Sequence, residues 1–154
     1  MRRTNSSLLL VVRRKIAATP ERLFEAWTCA GELREWWGPE NVKCIAAEVD
    51  LRVGGSYRIG NQLPDGTILW ISGEFLTIEK PHRLEYTWRV GSREAPVERV
   101  TVQFVRSGAQ TEVIITHGHI SDEPTRNRHD RGWQGCLGGL ENYLIRVADP
   151  TTDG

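Results

Sequence analysis

Residues 132–144 read Gly132-Trp133-Gln134-Gly135-Cys136-Leu137-Gly138-Gly139-Leu140-Glu141-Asn142-Tyr143-Leu144, and this stretch decides the fold. At about 100° per residue, Trp133, Cys136, Leu137, Leu140, Tyr143, Leu144 and Val147 fall on one face, while Asp130, Gln134, Glu141 and Asn142 fall elsewhere. The pattern predicts a helix from about Glu123 to Ala148 with one broad apolar stripe, which must lie on something. The residues before it alternate as strands do, so that something is a sheet. Gly132, Gly135 and Gly139 line one edge of the stripe, with Gly138 to the side. Each glycine costs about 1 kcal/mol against alanine in a helix interior. Two things would offset that: close approach of another backbone, or open space beside the helix where a ligand lies.

Working back from the helix, residues 111–119 place Val113, Ile115 and His117 on one side of a strand. Residues 97–105 put Val100, Val102 and Phe104 together, and residues 83–90 do the same for Leu84, Tyr86 and Trp88. Further strands are predicted at 8–16, 42–51, 56–60 and 67–79. Pro64-Asp65-Gly66 and Ser107-Gly108 supply turns, and Val53-Gly54-Gly55 a bend or bulge. Between the first two strands, Thr19 caps a helix that Pro20 opens. A second short helix spans about Gly31 to Trp37 and stops at Gly38-Pro39. Consecutive strands on short turns make an antiparallel meander with one covered face. The fold class is therefore α+β: a curved antiparallel sheet of about seven strands, two short helices after the first strand, and a long C-terminal helix as the cover. Residues 1–6 and 149–154 are expected to be flexible tails of a single domain.

Composition narrows the function. Twenty Lys+Arg balance twenty Asp+Glu, so nothing favours capture of nucleic acid or an anionic membrane. The longest N-terminal apolar run, Leu8 to Val12, is too short to cross a bilayer and has no signal-peptide cleavage pattern. Three widely spaced cysteines, Cys29, Cys44 and Cys136, fit a reducing, cytoplasmic setting without a disulfide framework. Six tryptophans suit the walls of a core or a pocket.

The order of elements and their local motifs resemble the SRPBCC (START/Bet v 1-like) superfamily, and within it the branch of activator of heat-shock-protein ATPase homologues. The resemblance rests on residues 18–27 (ATPERLFEAW), 33–39 (LREWWGP), 50–58 (DLRVGGSYR), Gly73-Glu74-Phe75 and 81–88 (PHRLEYTW). It continues through Thr111-Glu112-Val113, Thr116-His117 and the Gly132-Trp133 helix. It covers about Leu8 to Val147 and implies a helix-grip fold with an apolar cavity between sheet and C-terminal helix. Superfamily members include lipid and hormone binders, polyketide cyclases and co-chaperone domains, so the likeness alone does not fix an activity.

Binding of a small hydrophobic or amphipathic molecule in that cavity is the leading expectation. Its wall would draw on Trp37, Tyr57, Trp70, Trp88, Phe104, Trp133, Leu137 and Leu140, with His117 meeting a polar group of the ligand. Trp37 is expected at the mouth and Trp36 facing away. Arg58 and Glu74 either line the inner surface or sit outside. A second expectation is a cyclase or hydratase using His117 as acid or base. It is weakened because no carboxylate or tyrosine is clearly placed beside His117, which can also be read as a hydrogen-bonded residue at a strand end. A third is a chaperone-accessory or protein-interaction module, with Trp36 and the outer sheet as its surface and a homodimer through free sheet edges. His117, His119, His129 and Cys136 show no recognised zinc spacing, so no metal is expected. Buried Cys136 reads as an apolar filler. Gly54-Gly55 lacks the lysine and helix of a phosphate loop, and no cofactor is implied.

Overall fold

The computed structural model describes residues 7–38 and 41–148. Expectations about the tails, and about Pro39 as a helix stop, fall outside these residues. The elements run β1 (Leu8–Ile16), α1 (Pro20–Thr28), α2 (Ala30–Trp36), β2 (Lys43–Val49), β3 (Ser56–Gln62), β4 (Ile68–Glu79), β5 (Arg83–Val90), β6 (Glu98–Ser107), β7 (Gln110–Ile120) and α3 (Glu123–Ala148). The sheet is antiparallel in the order β1-β7-β6-β5-β4-β3-β2. Among the described residues its only non-sequential neighbours are β1 and β7, which leaves β2 and β1 as the two edges.

Local chemistry fixes the helices. Thr19 Oγ1 accepts from the Arg22 N–H at 3.1 Å, with Pro20 at the first helical position. The α2 helix ends at Trp37, where the backbone turns extended. Gly38 follows with φ at +125°, and a Cβ there would lie 2.7 Å from the Val42 carbonyl oxygen. Only glycine tolerates both conditions, and the turn leads the chain from α2 toward β2.

Strand parity delivers one apolar face. Tyr57 and Ile59, Ile71 and Phe75, Leu84, Tyr86 and Trp88, Val100, Val102 and Phe104, and Val113 and Ile115 are all buried. The covering face of α3 presents Trp133, Cys136, Leu137, Leu140, Tyr143 and Leu144 to it. α1 and α2 fill the space beside α3. Trp36 is buried, and its indole N–H donates to the Ala26 carbonyl at 2.9 Å. The expectation that Trp36 faces away is corrected on that ground: α2 packs onto α1 as well as onto the sheet, so Trp36 and the following Trp37 both have inward neighbours. Trp27, Trp36, Trp37, Trp88 and Trp133 form one continuous cluster, with successive ring centroids 5.1–6.1 Å apart.

Close approach and open space both occur along the helix glycines, at different positions. A Cβ on Gly139 would meet the Trp36 carbonyl oxygen at 2.7 Å, so this glycine lets α3 approach the end of α2. A Cβ on Gly132 would meet nothing within 4 Å. Close packing operates in the middle of α3, and open space begins toward its N-terminal half.

Candidate functional site

The open space beside Gly132 is a cavity of about 420 Å³ between α3, strands β3 to β6 and the end of α2. Trp37, Trp88 and Trp133 supply aromatic wall, and Leu69, Ile71 and Val90 supply aliphatic wall. Cys136 also lines it; burial pushes its thiol up to about 12, so the sulfur is a neutral apolar surface. Ser121, Thr125 and Arg128 complete the wall near the start of α3. Asn61, Glu98 and His129 add further polar groups to a mostly apolar concavity. Asn61 is held in place: its Oδ1 accepts from the Trp37 indole at 3.1 Å, and its amide donates to the Leu69 carbonyl at 3.3 Å. A mostly apolar concavity with a few fixed polar groups is the form that small-molecule sites take.

Glu98 is the centre of the polar end. It is 7% exposed, and its Oε1 sits 2.7 Å from His117 Nε2 and 2.8 Å from His129 Nε2. Burial pushes its carboxyl up, but the hydrogen bonds from the two imidazoles outweigh that and bring it down to about 2. An ionised carboxylate only accepts, so both Nε2 atoms carry protons. His117 Nδ1 accepts from the Trp133 indole N–H at 3.0 Å. That donor fixes His117 as the neutral Nε2–H tautomer, and burial lowers its pKa further from the ordinary value. The His129 ring stacks on His117 at 4.3 Å between centroids, and its Nδ1 has no partner among the described residues.

The same three side chains bear on metal binding, since one ligand atom from each of Glu98, His117 and His129 lies within 4.8 Å of the others. The Trp133 donor tests the fit. A cation on His117 Nε2 would have to displace its proton, leaving an imidazole with no N–H while Nδ1 still accepts from Trp133. The arrangement is that of a hydrogen-bonded chain, Trp133 to His117 to Glu98 to His129, rather than a ligand set.

The residues singled out from sequence separate by where the structure places them. Trp37, Trp88 and Trp133 meet at the cavity. Phe104, Leu137 and Leu140 are fully buried core, with Phe104 held edge-on between Phe24 and Trp27. Tyr57 packs against Phe75 and Tyr86 and donates its hydroxyl to the Thr87 carbonyl at 2.7 Å, and it does not line this cavity. Trp70 is corrected: it follows the opposite parity to Ile71, lies across Gly60 on the outer face, and carries the Arg58 guanidinium 4.3 Å above its ring. Arg58, ion-paired to Glu48 at 3.1 Å, and exposed Glu74 are outer-face residues too. His117 does face inward beside Val113 and Ile115, but it lies behind Trp133 with both ring nitrogens engaged. The missing carboxylate beside it is Glu98. It lies two residues before Val100, so parity alone places it on the inner face. His129 precedes Trp133 by four residues, one helical turn, and therefore shares its side of α3.

A curved sheet gripping a long helix around a lined cavity defines an α+β helix-grip protein. The chain matches the family described as activator of Hsp90 ATPase homolog 1-like protein over residues 17–145, and it belongs to that family. A solved Chromobacterium violaceum protein is similar at 26% identity and a TM-score of 0.78, covering 87% of this chain and 94% of its own. The AHSA1 protein of Silicibacter pomeroyi aligns with a TM-score of 0.81 at 24% identity, over 91% of this chain and 99% of its own. An HSP90 activator from Plasmodium falciparum aligns at 28% identity and a TM-score of 0.67, over 92% and 97% of the two chains. No curated protein matches the sequence. Among the described residues no helix is long and apolar enough to cross a membrane.

Proposed function

We infer that the protein binds a small, mainly apolar molecule in the cavity beside Gly132, with a polar group of that molecule at the Glu98–His129 end. The observation that supports this most directly is the space itself. About 420 Å³ is bordered by three tryptophans and aliphatic side chains, at a point where the helix carries glycine instead of a side chain that would fill it. Burying apolar ligand surface there would drive binding at about 25 cal/mol per Å². The size suits a molecule of one or two rings better than a long lipid.

An activator-like role in protein assembly is the rival reading, carried by the family name and by the Plasmodium falciparum relative. The surface expected for it from sequence joined Trp36 to the outer face of the sheet; Trp36 is buried and drops out of that surface, whereas the cavity keeps its aromatic wall, so the cavity has the better physical support. Native mass spectrometry of the purified protein, followed by a thermal-shift screen of aromatic acids, ketones and short amphiphiles, tests the reading. A retained small molecule or a rise in melting temperature is expected, because a ligand of the native state stabilises it by mass action. No retained mass and no shift across the screen would refute it.

A further inference from the structure

We propose that His129, oriented by Glu98, is a general base in this cavity, and that the ligand class is a small apolar ketone or similar carbon acid whose C–H proton is removed and returned. The inference rests on the binding reading above and adds chemistry to it.

The sequence pattern pointed to His117, but the geometry assigns that residue a different task. Both of its nitrogens are engaged: Nδ1 accepts from Trp133, and Nε2 donates to Glu98. It has no lone pair left for a substrate. His129 differs on each count. It lines the cavity, its Nε2–H is spent on Glu98, and its Nδ1 keeps a lone pair with no partner among the described residues. A carboxylate that holds one imidazole nitrogen in the N–H form leaves the other as the base, and it stabilises the imidazolium formed when that base takes a proton. Glu98 is kept ionised for this task by two donors, and His117 is kept neutral by Trp133, so the chain carries one net negative charge facing His129. Glu98, His117 and Trp133 are thus positioning residues, and His129 is the group that would touch substrate.

The step balances without a co-reactant. His129 Nδ1 takes the proton from the carbon beside the carbonyl, the C–H electron pair becomes the C=C bond of the enolate, and the carbonyl π pair moves to oxygen. The proton then returns from Nδ1 to carbon, with no change of oxidation state. An enolate oxygen needs a donor. Trp88 also lines the cavity, is 5% exposed, and has an indole N–H without an acceptor among the described residues. Arg128 offers a cation at the same end.

The probe is 5-nitrobenzisoxazole, a small aromatic carbon acid. Loss of its C3 proton to a base breaks the N–O bond and releases a coloured phenolate. Calorimetry with unreactive 5-nitrobenzotriazole measures occupancy separately. His129→Gln keeps an amide to donate to Glu98 but cannot take a proton, and His129→Asn is the second variant should the first fail to fold. The expected result is binding of the triazole by wild type and by the variant, with turnover about 100-fold or more lower in the variant, the scale of general acid–base catalysis. Turnover in Gly132→Leu should also be lost, which places the reaction in the cavity. Binding of the triazole with turnover unchanged in His129→Gln would overturn the inference and leave the binding reading standing. No binding of the triazole and no turnover above buffer would overturn both.

Discussion

Gly132 is where the account is most exposed to a stability measurement. A glycine in a helix interior costs about 1 kcal/mol against alanine, and the Cβ that alanine would add meets nothing within 4 Å. Gly132→Ala should therefore stabilise the protein by about 1 kcal/mol, or about 2–4 °C in melting temperature for a chain of this size. Gly132→Leu sends a larger side chain into the same space and gains further burial, up to about 3 kcal/mol for a fully buried leucine. Gly139→Ala is the internal control. Its Cβ would sit 2.7 Å from the Trp36 carbonyl oxygen, so α3 must shift away from α2 at a cost of about 1–3 kcal/mol. The same substitution in one helix should thus change sign over two turns. Denaturant melts with fixed m-values read both effects. Destabilisation by Gly132→Ala would mean that the space beside it is filled, and the cavity argument would fail with it.

Other consequences of the geometry can be read separately. In ¹⁵N spectra His117 should appear as the neutral Nε2–H tautomer, held by Glu98 at 2.7 Å, and Trp133→Phe should keep that tautomer while raising the pH at which Nδ1 takes up a proton, by removing the donor at 3.0 Å; an Nδ1–H tautomer in wild type, or no rise in the variant, would break the proposed chain at its first link. Burial lowers the His117 pKa from 6.5, so below pH 6.5 the unfolded chain takes a proton that the folded chain refuses, and stability falls with pH. Glu98, lowered from 4.5 to about 2, contributes stability that is complete above pH 4.5 and lost as pH falls toward 2. Thermal melts should show a smaller loss between pH 6.5 and 4.5 for His117→Gln than for wild type, and equal slopes would contradict the assignment. Trp37→Phe removes the indole donor to Asn61 Oδ1 at 3.1 Å and should cost about 1–3 kcal/mol for the buried acceptor left unpaired, measured by urea unfolding.

Periodicity carried most of the fold. The apolar stripe from Trp133 to Leu144 and the alternation in β5, β6 and β7 each repeat one signal several times, so an error at one residue does not move the element. The site was legible only where it obeyed the same periods. His117 faced inward because Val113 and Ile115 did. Glu98 obeyed the same rule with Val100 and Val102, but a glutamate at the start of a strand looks like a solvated boundary until its two imidazole partners are in place. Trp70 erred the other way: an aromatic side chain is as apt to shield an outer-face glycine under an arginine as to line a pocket, and residue type does not tell these apart. His129 shares a helix face with Trp133, yet its partner is 31 residues away in β6. Pairings that depend on where a helix lands on a sheet have no local signal. Trp36 shows the same gap, since its burial depends on how α2 meets α1.

Fluorescence titration of an apolar aromatic probe against three proteins, wild type, Gly132→Leu and Trp70→Ala, shows whether the space beside Gly132 is the binding site. The account predicts saturable binding by wild type, a loss of affinity of at least about tenfold in Gly132→Leu, equivalent to about 1.4 kcal/mol, and wild-type affinity in Trp70→Ala, whose ring lies on the other face of the sheet. Equal binding by wild type and Gly132→Leu, or loss confined to Trp70→Ala, would contradict it.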